Sequence, residues 1–354
     1  MTTWPPSGSE VLTSFDRLHP EIRRWIWEQK WEELRDVQDR AISAVLGSDG
    51  DVLIAAATAA GKTEAAFLPV LTAVADRTER GFSVLYVSPL KALINDQFRR
   101  LDQLCERLEI ETVRWHGDAP QSAKDRARRN PRGAILITPE SIEAMLIRRP
   151  ADAVKMLGAL DFIVIDELHA FAGTKRGDLL ALGLARLQSL SPGLRRVGLS
   201  ATVHDPDWLA AWLSPSASPR DVRRVIGRDG AEAEVEILTT KEYLPWSGHM
   251  AVHALAEVYA RIKTAGTTLV FVNTRAQAEI VFQELWHLNE EGLPIALHHG
   301  SLAVEQRRKV EAAMAAGKLR AVVATSSLDL GIDWAAVDLV VQIGAPKGSA
   351  RLLQ

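Results

Sequence analysis

The sequence predicts an α/β fold in which parallel-sheet units of the strand–helix–strand kind are repeated in two domains. Three observations lead there. Apolar runs of strand length alternate with helical spacing from 51 to about 214, and a second series of the same kind begins at 268. Between them, over 215–243, prolines, serines and glycines thin the pattern as a linker does. With 354 residues, 47% of them hydrophobic and 25% charged, each half can bury a core of its own. The formal net charge of −3 excludes a general polycation, so any contact to nucleic acid has to come from local patches or backbone donors. The single cysteine, Cys105, leaves no internal disulfide and no cysteine metal cluster, which fits a reducing, cytoplasmic setting. No apolar run is long enough for a signal peptide or a bilayer span, so no membrane partner is expected.

In chain order, 1–36 reads as an N-terminal extension. Pro5, Pro6, Ser7, Gly8 and Ser9 make a frayed start, and helical spacing follows over 21–31. Trp25, Trp27 and Trp31 in that helix either pack it onto the next domain or bring an indole near a purine ring. The first domain, 37–214, opens with a helix led by Gln38, whose two-sided amide can read an adenine edge. The apolar run 52–55 is a strand buried on both faces, and the spacing of Ala66, Phe67 and Val70 is helical. Strand and helix meet at Ala60-Gly61-Lys62-Thr63, a phosphate-binding loop. Its small residues let backbone N–H groups curl round a phosphate, Lys62 supplies a point charge, and the Thr63 hydroxyl can hold Mg²⁺. Ala56 stands where the usual pattern opens with glycine, keeping the side chain small at some loss of backbone freedom.

Further strands are expected near 84–87, 135–138, 162–165 and 197–199. Asp166-Glu167-Leu168-His169 ends the apolar strand 162–165, at the sheet edge where the phosphate loop lies. The first carboxylate can hold Mg²⁺ through water and the second can orient and deprotonate an attacking water; the same letters could also cap a helix. The hydroxyls of Ser200 and Thr202 either hydrogen-bond to those carboxylates or cap the helix beginning near Asp205. In the second domain, 244–354, strands are expected at 268–272, 295–297, 321–324 and 339–343, with helices at 275–287 and 304–315.

Five blocks are more specific still: Gly117-Asp118-Ala119-Pro120-Gln121-Ser122, Ile137-Thr138-Pro139-Glu140-Ser141, Gly173-Thr174-Lys175-Arg176-Gly177, Gly198-Leu199-Ser200-Ala201-Thr202, and Ala324-Thr325-Ser326-Ser327-Leu328-Asp329-Leu330-Gly331-Ile332-Asp333. In this order they resemble the superfamily-two helicases, and more narrowly the large helicase-related (Lhr-type) DNA helicases. The resemblance covers nearly everything from Gln38 onwards. It implies two RecA-like domains of the P-loop NTPase class, ATP and Mg²⁺ as cofactors, and single-stranded or partly duplex nucleic acid as partner, DNA before RNA. Gln38 would select adenine, Lys62 and Thr63 would hold phosphates and metal, and Asp166 and Glu167 would bind Mg²⁺ and activate water. His169, Ser200 and Thr202 would couple nucleotide state to the strand path, and Gly331 and Asp333 would approach the nucleotide from the second domain.

Strand contacts are implied for Ser88-Pro89-Leu90-Lys91 and Thr138-Pro139-Glu140 in the first domain, and for Asn273-Thr274-Arg275, His299-Gly300 and Thr325-Ser326 in the second. Loop capping is the rival reading for each. The basic stretch Lys124, Arg126, Arg128, Arg129 and Arg132 either lines the same path or forms a solvated helix face. The family continues after a segment like Ala350-Arg351-Leu352-Leu353-Gln354 with an arginine-bearing motif and further domains. The expectation is therefore the motor core of a 3′-to-5′ helicase whose second domain is incomplete at its C-terminus, with apolar surface around Val340, Val341 and Ile343 partly uncovered and slow turnover. The alternative is an ATP- and strand-binding module without effective turnover, served by a protein partner or the missing domains.

Overall fold

Strands that are apolar on both faces have to be covered on both faces, and the first unit is built that way. The computed structural model describes residues 13–57, 60–201, 205–214, 216, 221–227, 234–240, 252–325 and 337–345, with Lys91, Ala92 and Asp96 described by backbone alone. The chain divides into two units, Met1–Gly230 and Ala231–Gln354.

In the first unit, a 3₁₀ turn (Phe15–Arg17) leads into α1 (Pro20–Glu28), α2 (Asp36–Leu46), β1 (Asp51–Ala55), α3 (Lys62–Val74), β2 (Gly81–Val87) and α4 (Lys91–Arg107). There follow β3 (Thr112–Trp115), α5 (Gln121–Arg129), β4 (Arg132–Ile137), α6 (Pro139–Arg148), α7 (Pro150–Leu157) and β5 (Phe162–Ile165). The unit continues with α8 (Leu168–Phe171), α9 (Lys175–Leu190), β6 (Arg195–Ser200), α10 (Pro206–Leu213) and β7 (Val222–Ile226). The strands pair in parallel in the order β3-β4-β2-β5-β6-β1-β7. The two-residue period of a strand sends Val52 and Ile54 into one core layer, with α2, α3 and α4, and Leu53 into the other, with α6, α7, α9 and α10.

Three features differ from the sequence reading. The first helix ends at Glu28 because Lys30 takes a left-handed φ of 58°, so Trp31 lies beyond it. Trp31 folds back edge-on to Trp25, with centroids 5.5 Å apart, and both pack against the core, as the packing reading of these indoles has it. Trp27 instead is 76% exposed. Secondly, β3 and β7 were not expected: each is short, and its apolar residues are interrupted by arginines. Thirdly, β7 falls inside the stretch read as linker, yet it pairs with β1 from Asp51↔Val222 to Ala55↔Ile226, so the first unit runs past 214.

The second unit contains α11 (Leu255–Thr264), β8 (Thr268–Phe271), α12 (Arg275–Leu288), β9 (Ile295–His298), α13 (Val304–Ala315), β10 (Ala321–Ala324) and β11 (Leu339–Gln342). Its strands pair in parallel in the order β11-β8-β10-β9. β11 is an outer strand; Val340 on it is 57% exposed and Val341 half-buried, whereas Ile343 is covered at 5%. Among the described residues no helix is long and apolar enough to cross a membrane.

Candidate functional site

In a parallel sheet every strand delivers its carboxyl end to the same edge. Along the first sheet, that edge carries Thr138-Pro139 after β4, Ser88-Pro89 after β2, Asp166-Glu167 after β5, Ser200-Ala201 at the end of β6, and the phosphate loop after β1. Apart from Gln38 on α2, the described nucleotide and strand residues expected in this unit thus fall on two adjoining stretches of one edge, with the carboxylates where they meet.

At the phosphate loop, Gly61 caps α3 with φ 81° and ψ 31°, a left-handed conformation. A Cβ there would meet only the movable amide end of Gln38, 2.5 Å from Nε2, so it is the backbone conformation that calls for glycine. Gln38 is 2% exposed and its Oε1 accepts the Arg35 N–H at 3.1 Å. Its amide therefore caps the start of α2 and packs beside Gly61. The Ala60 N–H donates to the Ala57 carbonyl at 3.2 Å, and the Ala56 N–H donates to the Ser200 carbonyl at 3.2 Å, tying the loop to β6. Lys62 and Thr63 open α3, half-buried.

Asp166 and Glu167 are each 8% exposed. The Tyr86 hydroxyl donates to Asp166 Oδ2, and the Glu167 N–H donates to Asp166 Oδ1 at 2.9 Å. Burial raises the Asp166 carboxyl above its ordinary range, with the Tyr86 hydrogen bond and the Lys62 charge opposing. Burial, then the Asp166 charge, pushes Glu167 up to about 7, again against Lys62. Glu167 also holds a left-handed φ of 50° and ψ of 47°, rare for a side chain of its size and costly by about 1–3 kcal/mol.

His169 lies between Glu167 and β6. The Ala201 N–H donates to its Nδ1 at 3.2 Å, which fixes the neutral ring's proton on Nε2, 3.4 Å from Glu167 Oε2. Burial and the Lys62 charge push His169 down to about 4, so the ring is neutral near pH 7. Ser200 Oγ lies 3.1 Å from the same Nδ1. The sequence reading that Ser200 bonds to the carboxylates is corrected here, because the imidazole occupies the space between them. Thr202, Gly331 and Asp333 lie outside the described residues.

Towards the other end of the edge, Thr138 is 6% exposed and its Oγ1 sits 3.0 Å from Ser141 Oγ, at the start of α6 that Pro139 opens. Pro89 is buried, and Lys91 begins α4. Part of the basic stretch is spent locally: Arg128 pairs with Asp125 at 2.7 Å and stacks over Trp115, and Arg132 pairs with Glu111 at 2.9 Å. In the second unit, Thr274 caps α12 by accepting the Gln277 N–H at 3.1 Å, and the Asn273 amide donates to the Ala345 carbonyl at 3.0 Å. Arg275 is exposed, with Nη2 beside Gly300. The His299 ring is buried at 1% and faces Glu279 at 3.2 Å, while Thr325 is 8% exposed. Sequence reasoning missed Tyr86, which reads as core, and Arg100 on α4, whose charge reaches Asp166 and which pairs with Glu64 at 2.6 Å.

Two family profiles match the chain: DEAD/DEAH box helicase over 35–208 and Helicase conserved C-terminal domain over 250–354. The chain belongs to the DEAD/DEAH-box helicases. This helicase chain is similar to the ATP-dependent helicase Lhr-Core of Methanothermobacter thermautotrophicus, 33% identical over 360 residues, which span 95% of the chain and 41% of that relative. It is likewise similar to the Lhr helicase/probable uracil glycosylase of Mycolicibacterium smegmatis, 34% identical over 409 residues, spanning 100% of the chain and 26% of the relative. The structure of Mycobacterium smegmatis helicase Lhr bound to ssDNA and AMP-PNP matches with a TM-score of 0.81 and 34% identity, over 97% of this chain and 46% of that one. The two sheets are thus those of RecA-like helicase domains. The helicase chain spans less than half the length of these relatives.

Proposed function

We propose that this chain hydrolyses ATP and uses the cycle to move along single-stranded DNA, 3′ to 5′, as the motor core of an Lhr-type helicase. The observation that carries the chemistry is the adjacency of β1, β6 and β5, which sets Lys62, His169, Asp166 and Glu167 within one electrostatically coupled site. The resemblance to a helicase bound to ssDNA supports the choice of strand, and the direction of travel rests on the family resemblance.

The phosphate loop binds the ATP phosphates, Lys62 offsets the charge of the terminal ones, and Gln38 turns from its loop contact to the adenine edge. A hydroxyl and a carboxylate are the hard oxygen donors that suit Mg²⁺, and Thr63 and Asp166 would hold it, its charge offsetting that of the phosphates. Ionised Glu167 takes a proton from water as the water oxygen attacks the terminal phosphorus and the bond to the leaving ADP oxygen breaks. The His169 Nε2–H keeps the Glu167 carboxylate oriented, and Nδ1 ties the pair to β6 through Ala201. His169, Ser200 and Thr202 couple the nucleotide to the strand.

Strand phosphates are gripped by Pro89, Lys91, Thr138 and Pro139 in the first unit, and by Asn273, Thr274, Arg275, Gly300 and Thr325 in the second. With the His299 ring turned inward, contact at that turn falls to the Gly300 backbone. The test is phosphate release by the chain with and without single-stranded DNA and RNA. Stimulation by DNA is expected, abolished in Glu167→Gln. Nucleotide and strand binding without stimulated release would make the chain a binding module, and equal stimulation by RNA would remove the preference for DNA.

A further inference from the structure

Arg176, at the second position of α9, holds two loop ends of the first unit at once. Its Nη1 donates to the Pro89 carbonyl at 2.6 Å, while Nε and Nη2 fork onto the two carboxylate oxygens of Glu140, the second at 2.9 Å. Its guanidinium carbon stands 5.7 Å from the centre of the Phe171 ring. Pro89 follows β2 and Glu140 lies in the first turn of α6 after β4, and these two strands are neighbours. A half-exposed ion pair contributes little by charge alone, and here the Arg176 and Glu140 side chains are 37% and 53% exposed. The fork is a different case, because a planar guanidinium that meets both carboxylate oxygens and a part-buried carbonyl fixes three groups in one geometry.

The segment behind Arg176 has little slack. Arg176 lies ten residues beyond Asp166, and between them Glu167 and Gly173 both take left-handed φ values, of 50° and 75°. Thr174 caps α9 by accepting the Gly177 N–H at 3.0 Å, and its own hydroxyl donates to the Phe171 carbonyl at 2.7 Å. Gly177 packs so closely on that carbonyl that a Cβ would stand 2.0 Å from the oxygen. A stiff connector therefore runs from the two catalytic carboxylates to a guanidinium that clamps both strand-facing loops.

We propose that Arg176 is a positioning residue that sets the spacing of the Pro89 and Thr138-Pro139-Glu140 loops and ties it to the segment bearing Asp166 and Glu167. The inference rests on the reading that these loops grip a strand. Arg176 touches neither nucleotide nor phosphate in this scheme; it acts through Pro89 and Glu140.

The experiment measures, by fluorescence anisotropy with the 354-residue chain, affinity for a single-stranded DNA oligonucleotide and separately for a labelled non-hydrolysable ATP analogue. The variants are Arg176→Ala, Arg176→Lys, Glu140→Gln and the Arg176→Ala/Glu140→Gln double. Loss of strand affinity of about tenfold is expected for both Arg176 variants, with a smaller loss in the same direction for Glu140→Gln. The double variant should bind no more weakly than Arg176→Ala, and affinity for the analogue should stay within about twofold throughout. Parental strand affinity in Arg176→Lys would overturn the proposal, since a point charge would then suffice. So would unchanged or raised affinity in Glu140→Gln beside a loss in Arg176→Ala, because an arginine freed from Glu140 that still supports binding is itself the phosphate contact. Joint loss of nucleotide and strand affinity would also overturn it, in favour of a general packing role. A parent chain that binds no strand removes the strand reading itself, before any variant is made.

Discussion

Glu167 combines three unusual features in one side chain: it is buried, held in a left-handed backbone, and beside a neutral imidazole that faces it with an N–H. Its carboxyl, pushed up to about 7, is poised to take up and release a proton near neutral pH, which is what a general base needs. ATP hydrolysis should therefore fall as pH drops through about 7, and steady-state rates against pH check this. Glu167→Gln should keep nucleotide affinity while losing about 10²- to 10⁴-fold in rate; a variant that hydrolyses at the parental rate would show that Glu167 is not the base. Lys62→Ala should differ in kind, losing ATP affinity by about tenfold to a hundredfold in a titration, because the loop keeps its N–H groups but loses the charge at their centre. The same residues give a stability signature in the nucleotide-free chain. A carboxyl raised in the folded state adds stability below its unfolded value and loses it as pH rises through about 7, whereas His169, lowered to about 4, loses stability as pH falls through its unfolded range. The two oppose each other at acidic pH. The parent should therefore lose melting temperature relative to Glu167→Gln as pH rises to about 7. These letters were legible in the sequence because the motif and the end of an apolar strand coincide. Tyr86 and Arg100 were not, since a tyrosine in an apolar run reads as core and an arginine on a helix reads as surface; Arg176 was legible only as a letter of the Gly173–Gly177 block, without its partners.

Elements are sharpest where a turn leaves no room. Gly177, in the first turn of α9, sits on the Phe171 carbonyl that ends α8, so Gly177→Ala should cost about 1–3 kcal/mol in urea unfolding and weaken strand affinity with it, because the connector to Arg176 has to shift. Unchanged stability would mean that the two helices re-pack freely. Sequence periodicity placed the strand around β1 and the helix after it, and it found the four strands among the described residues of the second unit to within a residue. It missed β7 for a physical reason. Val222 and Val225 face inward, but Arg223 and Arg224 between them are exposed on an outer strand, and such a pattern has no fixed meaning until β1 is there to pair with. The first helix was drawn too long for the opposite reason: helical spacing continues to Trp31, but Lys30 breaks the backbone and Trp31 keeps its apolar contact by folding back on Trp25.

At the scale of the molecule, a net charge of −3 provides no long-range attraction for a strand, so the proposed binding would rest on short-range contacts along the carboxyl edges. Affinity for single strands should be largely independent of base sequence, and it should fall linearly with salt on a log–log plot, with a slope of about −0.7 per phosphate neutralised. Affinity that is flat with salt, or that tracks base sequence, would count against phosphate gripping by these loops. The arginines of the basic stretch that are already paired, Arg128 and Arg132, should contribute little to that slope.

The sequence by itself determined the α/β class and placed the small-residue turn before α3 and the paired carboxylates, because each is written in a short stretch whose local physics suffices: an apolar run, a turn, a helix start; the family came instead from the resemblance of five blocks taken in order. Strand order is not local. Nothing in the letters says that β1 lies beside β6 and β6 beside β5, yet that order alone brings Lys62, His169 and Glu167 into one field and lets Ala201 set the imidazole tautomer. It likewise places Pro89 and Glu140 on neighbouring strands, where a single arginine from a third element reaches both. Chemistry-bearing residue types are fixed by composition and spacing; which of them touch was decided by the pairing of strands far apart in the chain.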